Sequence, residues 1–270
     1  MPGKPRPGTN DAAGSDWEPQ RYERFAAERR LPFDDLVKLC RPTPDGVVYD
    51  LGCGTGSRTI DLPDALGAAT VIGIDSSATM LDRTVNYDDP RVSFENADIT
   101  GFNPENSPDL VFSNAALHWL TDHESVLAAW RSHLSPGGQL AVQIPVNLDH
   151  PTQQLITATA QDHLDWFGAA GPPQLISTNS LLPEQYAEIL HSLGAAEQHV
   201  MLRVYPHVLD RTLDVVDWLE STTLRPYKKA LDEATYSAFI EDFSSRLIDR
   251  YGDVEDFLYT FKRILFWAQF

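Results

Sequence analysis

The chain has 270 residues, of which 42% are hydrophobic, and its 39 acidic residues outnumber the 21 Lys and Arg residues, leaving a formal net charge of −18. This size and composition predict one elaborated domain with one large core. The charge repels phosphate backbones and anionic membranes, so we expect neither nucleic acid nor a membrane as partner. No apolar stretch approaches the roughly 18 residues that a bilayer requires, and the N-terminus lacks the apolar segment of a signal peptide. We therefore expect a cytoplasmic protein.

The N-terminal region predicts a flexible tail followed by helix. Residues 1–15 are rich in Pro, Gly and small polar residues and contain nothing to bury. From Glu18 to Arg30, apolar and aromatic residues such as Tyr22 recur at helical spacing, and Arg29 falls on the same face. A second helix is predicted to follow Pro32. The chain's two cysteines are too few for a disulfide framework and lack partners at zinc spacing, so we expect reduced thiols and no metal site.

Short runs rich in β-branched residues next alternate with helical stretches. The predicted strands are 47–51, 70–75, 92–96, 109–114 and 139–145, with helices from Ser57, from Ser77 and through Trp130. Strand and helix in alternation predict an α/β fold with a doubly wound, parallel sheet. Ligands of such sheets bind beyond the carboxyl ends of the strands.

After Pro145 the pattern changes to longer amphipathic helices. These are predicted over 151–167, 183–193, 212–229 and 232–250, with strand-like runs at 198–208 and 257–268. We expect the core and its N-terminal helix to occupy residues 16–208, a helical substrate cap 209–250 and a final core strand 251–270.

Three glycines stand at every second position in the segment VVYDLGCGTGSRT, residues 47–59. Glycine lets the backbone approach a ligand closely where a strand turns into a helix. A dinucleotide fingerprint that begins at Gly52 requires a small Gly or Ala at position 57, which is Ser57. The alternative pattern, acid-x-Gly-x-Gly-x-Gly from Asp50, fits at every position.

Polar side chains follow the next three strands. Asp75 ends the second strand, nineteen residues after the last glycine, where a carboxylate can accept both ribose hydroxyls of an adenosine. Asp98 follows the third strand, where it can take an adenine amino group with Ile99 against the ring, and Asn114 follows the fourth, beside the expected reaction centre. The two aspartates could instead be helix caps, and Asn114 a turn residue. Their occurrence at consecutive strand ends favours a shared ligand site.

Together these motifs resemble the seven-stranded, class I S-adenosylmethionine-dependent methyltransferases. A closer likeness, to the trans-aconitate methyltransferase family, runs through SDWEPQRYERFAAERRLPFDDL, GIDSSATML, ALHWLTDHESVL, LSPGGQLAVQIP and VVDWLESTTLRPYKKAL. It covers nearly the whole chain apart from the tail. The resemblance implies a Rossmann-like, mostly parallel sheet of seven strands with an antiparallel last strand and a helical cap.

The resemblance also implies which residues contact each ligand. S-adenosylmethionine, leaving as S-adenosylhomocysteine, would be held by Tyr22, Arg29, Gly52, Gly54, Asp75, Ser76, Asp98, Ile99 and Asn114. His118, Trp119 and Arg225 would contact the acceptor: the rings donate hydrogen bonds, and the guanidinium pairs with a carboxylate. His118 replaces the family's polar residue before the tryptophan, residues 222–227 replace T-G-L-R-P-W, and VNLDHPTQQL also departs from the family pattern. These departures leave the expected cofactor contacts unchanged and affect only the identity of the acceptor. No role is assigned to four further cations, Lys228, Lys229, Lys262 and Arg263.

The expected function is S-adenosylmethionine-dependent O-methylation of a small carboxylic acid similar to trans-aconitate, giving a methyl ester. A fatty, terpenoid or carrier-bound malonyl acceptor stays open, although the net charge opposes an acidic carrier. Ser57 and the lack of a Tyr-x-x-x-Lys pair argue against a nicotinamide oxidoreductase. A protein that binds S-adenosylmethionine without transferring its methyl group is a further alternative. The sequence leaves the oligomeric state open.

Overall fold

One seven-stranded sheet organises the protein, in the order β3-β2-β1-β4-β5-β7-β6. The computed structural model describes residues 26–174, 179–220 and 222–270. The strands are β1 Val47–Leu51, β2 Thr70–Asp75, β3 Val92–Asn96, β4 Leu110–Asn114, β5 Gln139–Pro145, β6 Glu197–Arg211 and β7 Glu255–Gln269. All seven predicted strands are confirmed.

The last strand runs against its two neighbours. Strands β1 to β5 pair in parallel, whereas β7 is antiparallel to both β5 and β6. The register places Asn114 of β4 beside Gln143 of β5, and Pro145 of β5 beside Arg263 of β7. The expected α/β architecture with an antiparallel last strand is therefore confirmed.

Helices flank the sheet on both faces. The α-helices are α1 Ala26–Leu39, α2 Leu62–Leu66, α3 Ala78–Leu81, α4 His123–Ser132, α5 Pro151–Asp162, α6 Pro183–Ser192, α7 Asp214–Glu220, α8 Arg225–Ala230 and α9 Glu233–Tyr251. Segments of 3-10 helix cover Thr59–Asp61, Thr84–Asn86, Ile99–Gly101, Leu117–Trp119 and Leu164–Ala170. No helix within the described ranges is both long and apolar enough to cross a membrane.

Several helix boundaries differ from the sequence prediction. Helix α1 runs through Pro32 instead of restarting after it. A proline inside a helix costs about 3 kcal/mol, and the burial of Phe33 and Leu36 in the core offsets this cost. The segment predicted as one helix over 212–229 is two, α7 and α8, because Pro226 fits the first turn of a new helix better than a helix interior.

Alternation along the strands separates two apolar clusters, one on each face of the sheet. On one face, Phe33 and Leu36 of α1 pack against Phe112 of β4 and Leu265 of β7. The other face packs against Trp130 of α4 and residues of α6. Helix α1 thus covers the face that carries the even-numbered residues of β4.

The direction of α1 matters for the site. The backbone N–H of Arg41, just after α1, donates to the Gln139 side chain at the start of β5. The end of α1 therefore lies at the amino edge of the sheet, and its first turn points toward the carboxyl edge.

A third apolar cluster joins the helices after β6 to the outer part of the sheet. Trp218 of α7, Tyr227 of α8 and Phe239 of α9 pack with Tyr259 and Phe261 of β7. The expected boundary between residues 208 and 209 falls inside β6, which continues to Arg211. The expected tail, residues 1–15, lies outside the described residues.

Candidate active site

The glycine loop after β1 is anchored by a buried carboxyl group. The Thr59 hydroxyl donates to Oδ2 of Asp50 at 2.7 Å, tying the segment after the loop back to the strand. Complete burial, opposed by this hydrogen bond, raises the pKa of Asp50 to about 7, and the nearby Asp75 charge adds to the rise. Asp50 therefore fixes the segment that follows the glycine loop to strand β1.

The three glycines of the loop have different neighbours. A Cβ on Gly52 would lie 2.1 Å from Cβ of Ala116, and one on Gly56 would lie 2.6 Å from the Phe94 ring. Both glycines therefore serve packing between elements. A Cβ on Gly54 would meet nothing within 4 Å, and its φ of +59° is in the left-handed region. Gly54 is thus the position where the backbone faces open space and a ligand can approach.

The Asp75 carboxylate connects two loops at the carboxyl edge. Its Oδ2 accepts from the N–H of Gly54 and its Oδ1 from the N–H of Ser77, each at 2.8 Å. The side chain is half-buried, and each oxygen keeps a second lone pair for another donor. Ser76, between these residues, is exposed, and Ser77 rather than Asp75 caps α3.

Asp98 and Ile99 lie on the segment after β3. Oδ1 of the exposed Asp98 accepts from the N–H of Thr100, so Asp98 caps its own 3-10 turn. Ile99 is buried, and its Cδ1 lies 3.8 Å from where a Cβ on Gly52 would stand. The carbonyl of Ile99 also accepts from the Trp130 indole at 2.9 Å. The structure thus brings Ile99 to the glycine loop, while one Asp98 oxygen already has a local partner.

Asn114 ends β4 with a buried amide oxygen that lacks a hydrogen-bond partner. The following Ala115 has a φ of +57°, which is unusual for a residue with a side chain. This turn directs Ala116 into the space beside Gly52. An unpaired buried amide oxygen costs free energy unless a ligand supplies the donor.

His118 and Trp119 follow in the next 3-10 turn, with ring centroids 5.3 Å apart. His118 is buried, its Nδ1 has no partner, and burial lowers its pKa to about 3, with the Arg263 charge as the second cause. The ring is therefore neutral at physiological pH. Trp119 is 53% exposed, so it is a surface residue rather than a core residue.

Arg225 begins α8 and is exposed. The preceding Thr223 accepts a 3.4 Å hydrogen bond from Gln153 of α5, which follows the carboxyl end of β5. This bond joins the segment just before α8 to the region that follows the carboxyl end of β5. Among the described residues, no hydrogen bond, ion pair or ring contact joins Arg225 to His118 or Trp119.

The two N-terminal candidates are placed only in part. Tyr22 lies outside the described residues. Arg29 lies in the first turn of α1, and because α1 runs from the carboxyl edge to the amino edge of the sheet, this turn lies toward the carboxyl edge.

The sequence prediction did not assign three polar residues of this region. These are Asp50, Gln143 and Arg263. Gln143 is buried on β5 with its Nε2 atom unpaired, and its signal was a polar residue inside the apolar run QLAVQIP. Arg263 is half-buried on β7, where only the strand register reveals its proximity to β5. Among the described residues, no group of three His, Cys, Asp or Glu side chains could hold a metal ion.

The carboxyl ends of β1, β2 and β4 therefore form a cradle of suitable chemistry for an adenosine and an amino-acid moiety. It combines the open backbone at Gly54, the Asp75 carboxylate and the unpaired oxygen of Asn114. These groups fit hydroxyl and ammonium donors of a ligand.

Comparisons with known proteins identify the family. Residues 48–138 match the family model described as a methyltransferase domain. The chain is 40% identical to trans-aconitate 2-methyltransferase of Deinococcus radiodurans over 255 residues, covering 93% of this chain and 97% of that protein. It is 36% identical to the protein of the same name from Methylobacterium radiotolerans, covering 87% of this chain and 90% of the relative.

Solved structures share the fold at low sequence identity. The Haemonchus contortus phosphoethanolamine N-methyltransferase 2 in complex with S-adenosyl-L-methionine aligns with a TM-score of 0.55 at 16% identity, over 89% of this chain. This chain spans about half of that protein, 52% of its length. The YcgJ protein of Bacillus subtilis aligns with a TM-score of 0.57 at 14% identity, over 88% of this chain and 97% of the other.

The fold and the strand-end cradle define a Rossmann-like methyltransferase. The similarity extends over almost the full length of the two relatives, so it identifies a particular family within this class. The chain belongs to the trans-aconitate 2-methyltransferase family.

Proposed function

We propose that this protein transfers a methyl group from S-adenosylmethionine to a carboxylate of a small polycarboxylic acid, giving a methyl ester. The observation that carries the proposal is the open backbone at Gly54 beside the Asp75 carboxylate, in a member of this family. Trans-aconitate is the acid in the name of the two relatives, and it is the first acceptor to test.

The cofactor site we propose comprises the carboxyl ends of the four strands β1 to β4 and the first turn of α1. The Asp75 oxygens would accept the ribose hydroxyls, and Asp98 with Ile99 would bind the adenine. Asn114 would accept from the ammonium group, and Arg29 would pair with the methionine carboxylate. The backbone at Gly54 would leave room for the cofactor, and Gly52 would allow the loop its conformation. Ser76 and Tyr22 would lie beside the cofactor. When bound, S-adenosylmethionine supplies a sulfonium methyl group that accepts an electron pair from a nucleophile.

The acceptor needs no general base. A carboxylic acid has a pKa of about 4, so its oxygen is already ionised near pH 7. The task of the protein is to orient this oxygen and exclude water, and good orientation alone can be worth about 7 to 11 kcal/mol.

Three side chains would hold the acceptor. His118, which stays neutral, and Trp119 would donate hydrogen bonds to carboxylate oxygens. Arg225, at the start of α8, would pair with a carboxylate of the acceptor. A cytoplasmic location is also part of the proposal, because Cys40 and Cys53 are free thiols, as is usual in a reducing compartment.

The test is transfer of label from methyl-labelled S-adenosylmethionine to trans-aconitate, scored as a base-labile methyl ester, beside a monocarboxylic fatty acid. We expect label in trans-aconitate. Label in the fatty acid alone would replace the proposed acceptor class. Label in neither, with calorimetric binding of the cofactor, would indicate a protein that binds S-adenosylmethionine without this reaction.

A further inference from the structure

Gln143 is a buried glutamine in the apolar interior of β5. It is 1% exposed, and its Nε2 atom has no hydrogen-bond partner. An amide nitrogen is a donor only, and leaving a buried donor unpaired costs free energy. Since an apolar side chain at this position would avoid that cost, the amide points to a partner that a ligand supplies.

Strand register places Gln143 at the carboxyl edge of the sheet, beside Asn114. The two residues pair across β4 and β5, and two residues follow Gln143 on its strand. Ala141 of β5 and Phe112 of β4 pack on the α1 face, so alternation assigns both amides to that face. An unpaired amide nitrogen and the unpaired amide oxygen of Asn114 thus belong to neighbouring strands, about 4.8 Å apart.

The strand order assigns different neighbours to the two amides. The proposed cofactor site takes the ends of β3, β2, β1 and β4, which are consecutive in the sheet, and β5 is the next strand beyond β4. Asn114 therefore borders the cofactor, whereas Gln143 lies one strand farther from the glycine loop. Because the nucleophile approaches the methyl group from outside the cofactor, the end of β5 borders the acceptor.

His118 is a second neutral group near this strand end. Its ring is buried and its Nδ1 has no partner. Burial lowers its pKa to about 3, and the second cause is the charge of Arg263, which pairs in register with Pro145 at the end of β5. A neutral amide and a neutral imidazole are less costly to bury without a ligand than a lysine or an arginine, and both donate to carboxylate oxygens.

We propose that Gln143 binds a carboxylate of the acceptor through its Nε2 atom, so that the boundary between the cofactor and acceptor sites lies between β4 and β5. This inference rests on the proposed function and deepens it, because it assigns an acceptor contact to the sheet itself. Trp119 and Arg225, by contrast, are exposed. A carboxylate satisfies the buried donor, whereas an apolar part of an acceptor would leave it unpaired.

The experiment compares Gln143→Met with the wild-type enzyme. Methionine has a similar length and no donor, so KM for trans-aconitate should rise about tenfold or more. Calorimetry of trans-aconitate with S-adenosylhomocysteine present should show a matching loss of affinity. The affinities for S-adenosylhomocysteine and for 5′-methylthioadenosine, which lacks the methionine carboxylate, should both be unchanged. In urea denaturation the variant should be at least as stable as the wild-type protein, because an apolar group replaces an unpaired buried donor.

Gln198→Met is the matched control. Gln198 on β6 also has an unpaired buried amide atom, Oε1. It pairs with Ala268 of β7, which pairs with Leu140 near the start of β5, so it lies toward the amino edge. The same exchange there should keep the wild-type KM. Gln143→Asn is a second variant of the site, and because its amide has a shorter reach, its KM should also rise, but less than that of Gln143→Met.

The outcomes separate this inference from the proposed function. An active wild-type enzyme whose KM for trans-aconitate is unchanged in both Gln143 variants would overturn the role of Gln143 alone. A loss of affinity for S-adenosylhomocysteine, with that for 5′-methylthioadenosine kept, would move the contact to the cofactor's carboxylate and overturn the acceptor role. A less stable variant with equal losses for all three ligands would indicate a packing role instead. A wild-type protein that neither binds nor methylates a tricarboxylate would overturn the proposed acceptor, and this inference with it.

Discussion

Oδ2 of Asp75 accepts a 2.8 Å hydrogen bond from the backbone N–H of Gly54, so one carboxylate links the end of β2 to the glycine loop after β1. The loop and the strand end are therefore positioned by the same group that faces the proposed ribose site. Loss of this carboxylate should affect the cofactor more than the fold, because the side chain is only half-buried.

Asp75→Asn should weaken S-adenosylhomocysteine binding by about 1.5 kcal/mol or more, roughly tenfold in Kd. The neutral amide loses the charge-assisted bonds to the ribose. Isothermal titration calorimetry measures the effect. Asp82→Asn, an exposed position at the end of α3, should bind like the wild-type protein. An unchanged Kd in Asp75→Asn would remove the ribose contact.

Gly52→Ala and Gly54→Ala should fail in different ways. Gly52→Ala should destabilise the protein by about 2 to 5 kcal/mol, because the new methyl group meets Cβ of Ala116 at 2.1 Å and the φ is positive. Gly54→Ala should lose only about 1 to 2 kcal/mol for its φ, yet bind the cofactor much more weakly. Urea denaturation and calorimetry distinguish the two. Equal stability losses would contradict the packing role of Gly52.

Asp50→Asn should change how stability depends on pH. Burial raises the folded-state pKa of Asp50 to about 7, so the folded protein prefers the protonated carboxyl group. The wild-type protein should therefore lose stability as pH rises from about 4 through about 7, by about 4 kcal/mol in full. The amide does not titrate and can still accept the Thr59 hydroxyl.

The variant should accordingly match the wild-type protein most closely near pH 4 and exceed it in stability at pH 8. Urea denaturation of the cofactor-free proteins at each pH measures the difference. Parallel stability curves would show that Asp50 does not titrate in this range.

Arg225→Ala should raise KM for a tricarboxylate about tenfold while leaving cofactor affinity within about twofold. The substitution removes an exposed guanidinium from α8, outside the strand ends that would bind the cofactor, so only acceptor binding should weaken. Lys229→Ala, an exposed cation on the same helix, is the control. If both variants keep the wild-type substrate profile, Arg225 does not contact the acceptor.

Local patterns predicted the strands and the polar residues at their ends. Strands β1 to β5 are short β-branched runs, and the residue that ends such a run is visible in the sequence. Asp75 and Asn114 were predicted at the site for this reason, and both lie at the carboxyl edge. The path of α1 through Pro32 was not predicted, because burial against the sheet outweighs a local penalty.

The fold class and the family could be predicted from residues close together in the chain: the glycine loop, the strand ends and the alternation of strand and helix. The packing role of two of the glycines could not be predicted in this way, because the atoms that fill the space beside Gly52 and Gly56 come from the distant residues Ala116 and Phe94. The tertiary structure also brought Arg263 to the end of β5 through an antiparallel pairing. Contacts between distant segments depend on strand register, which no local pattern specifies.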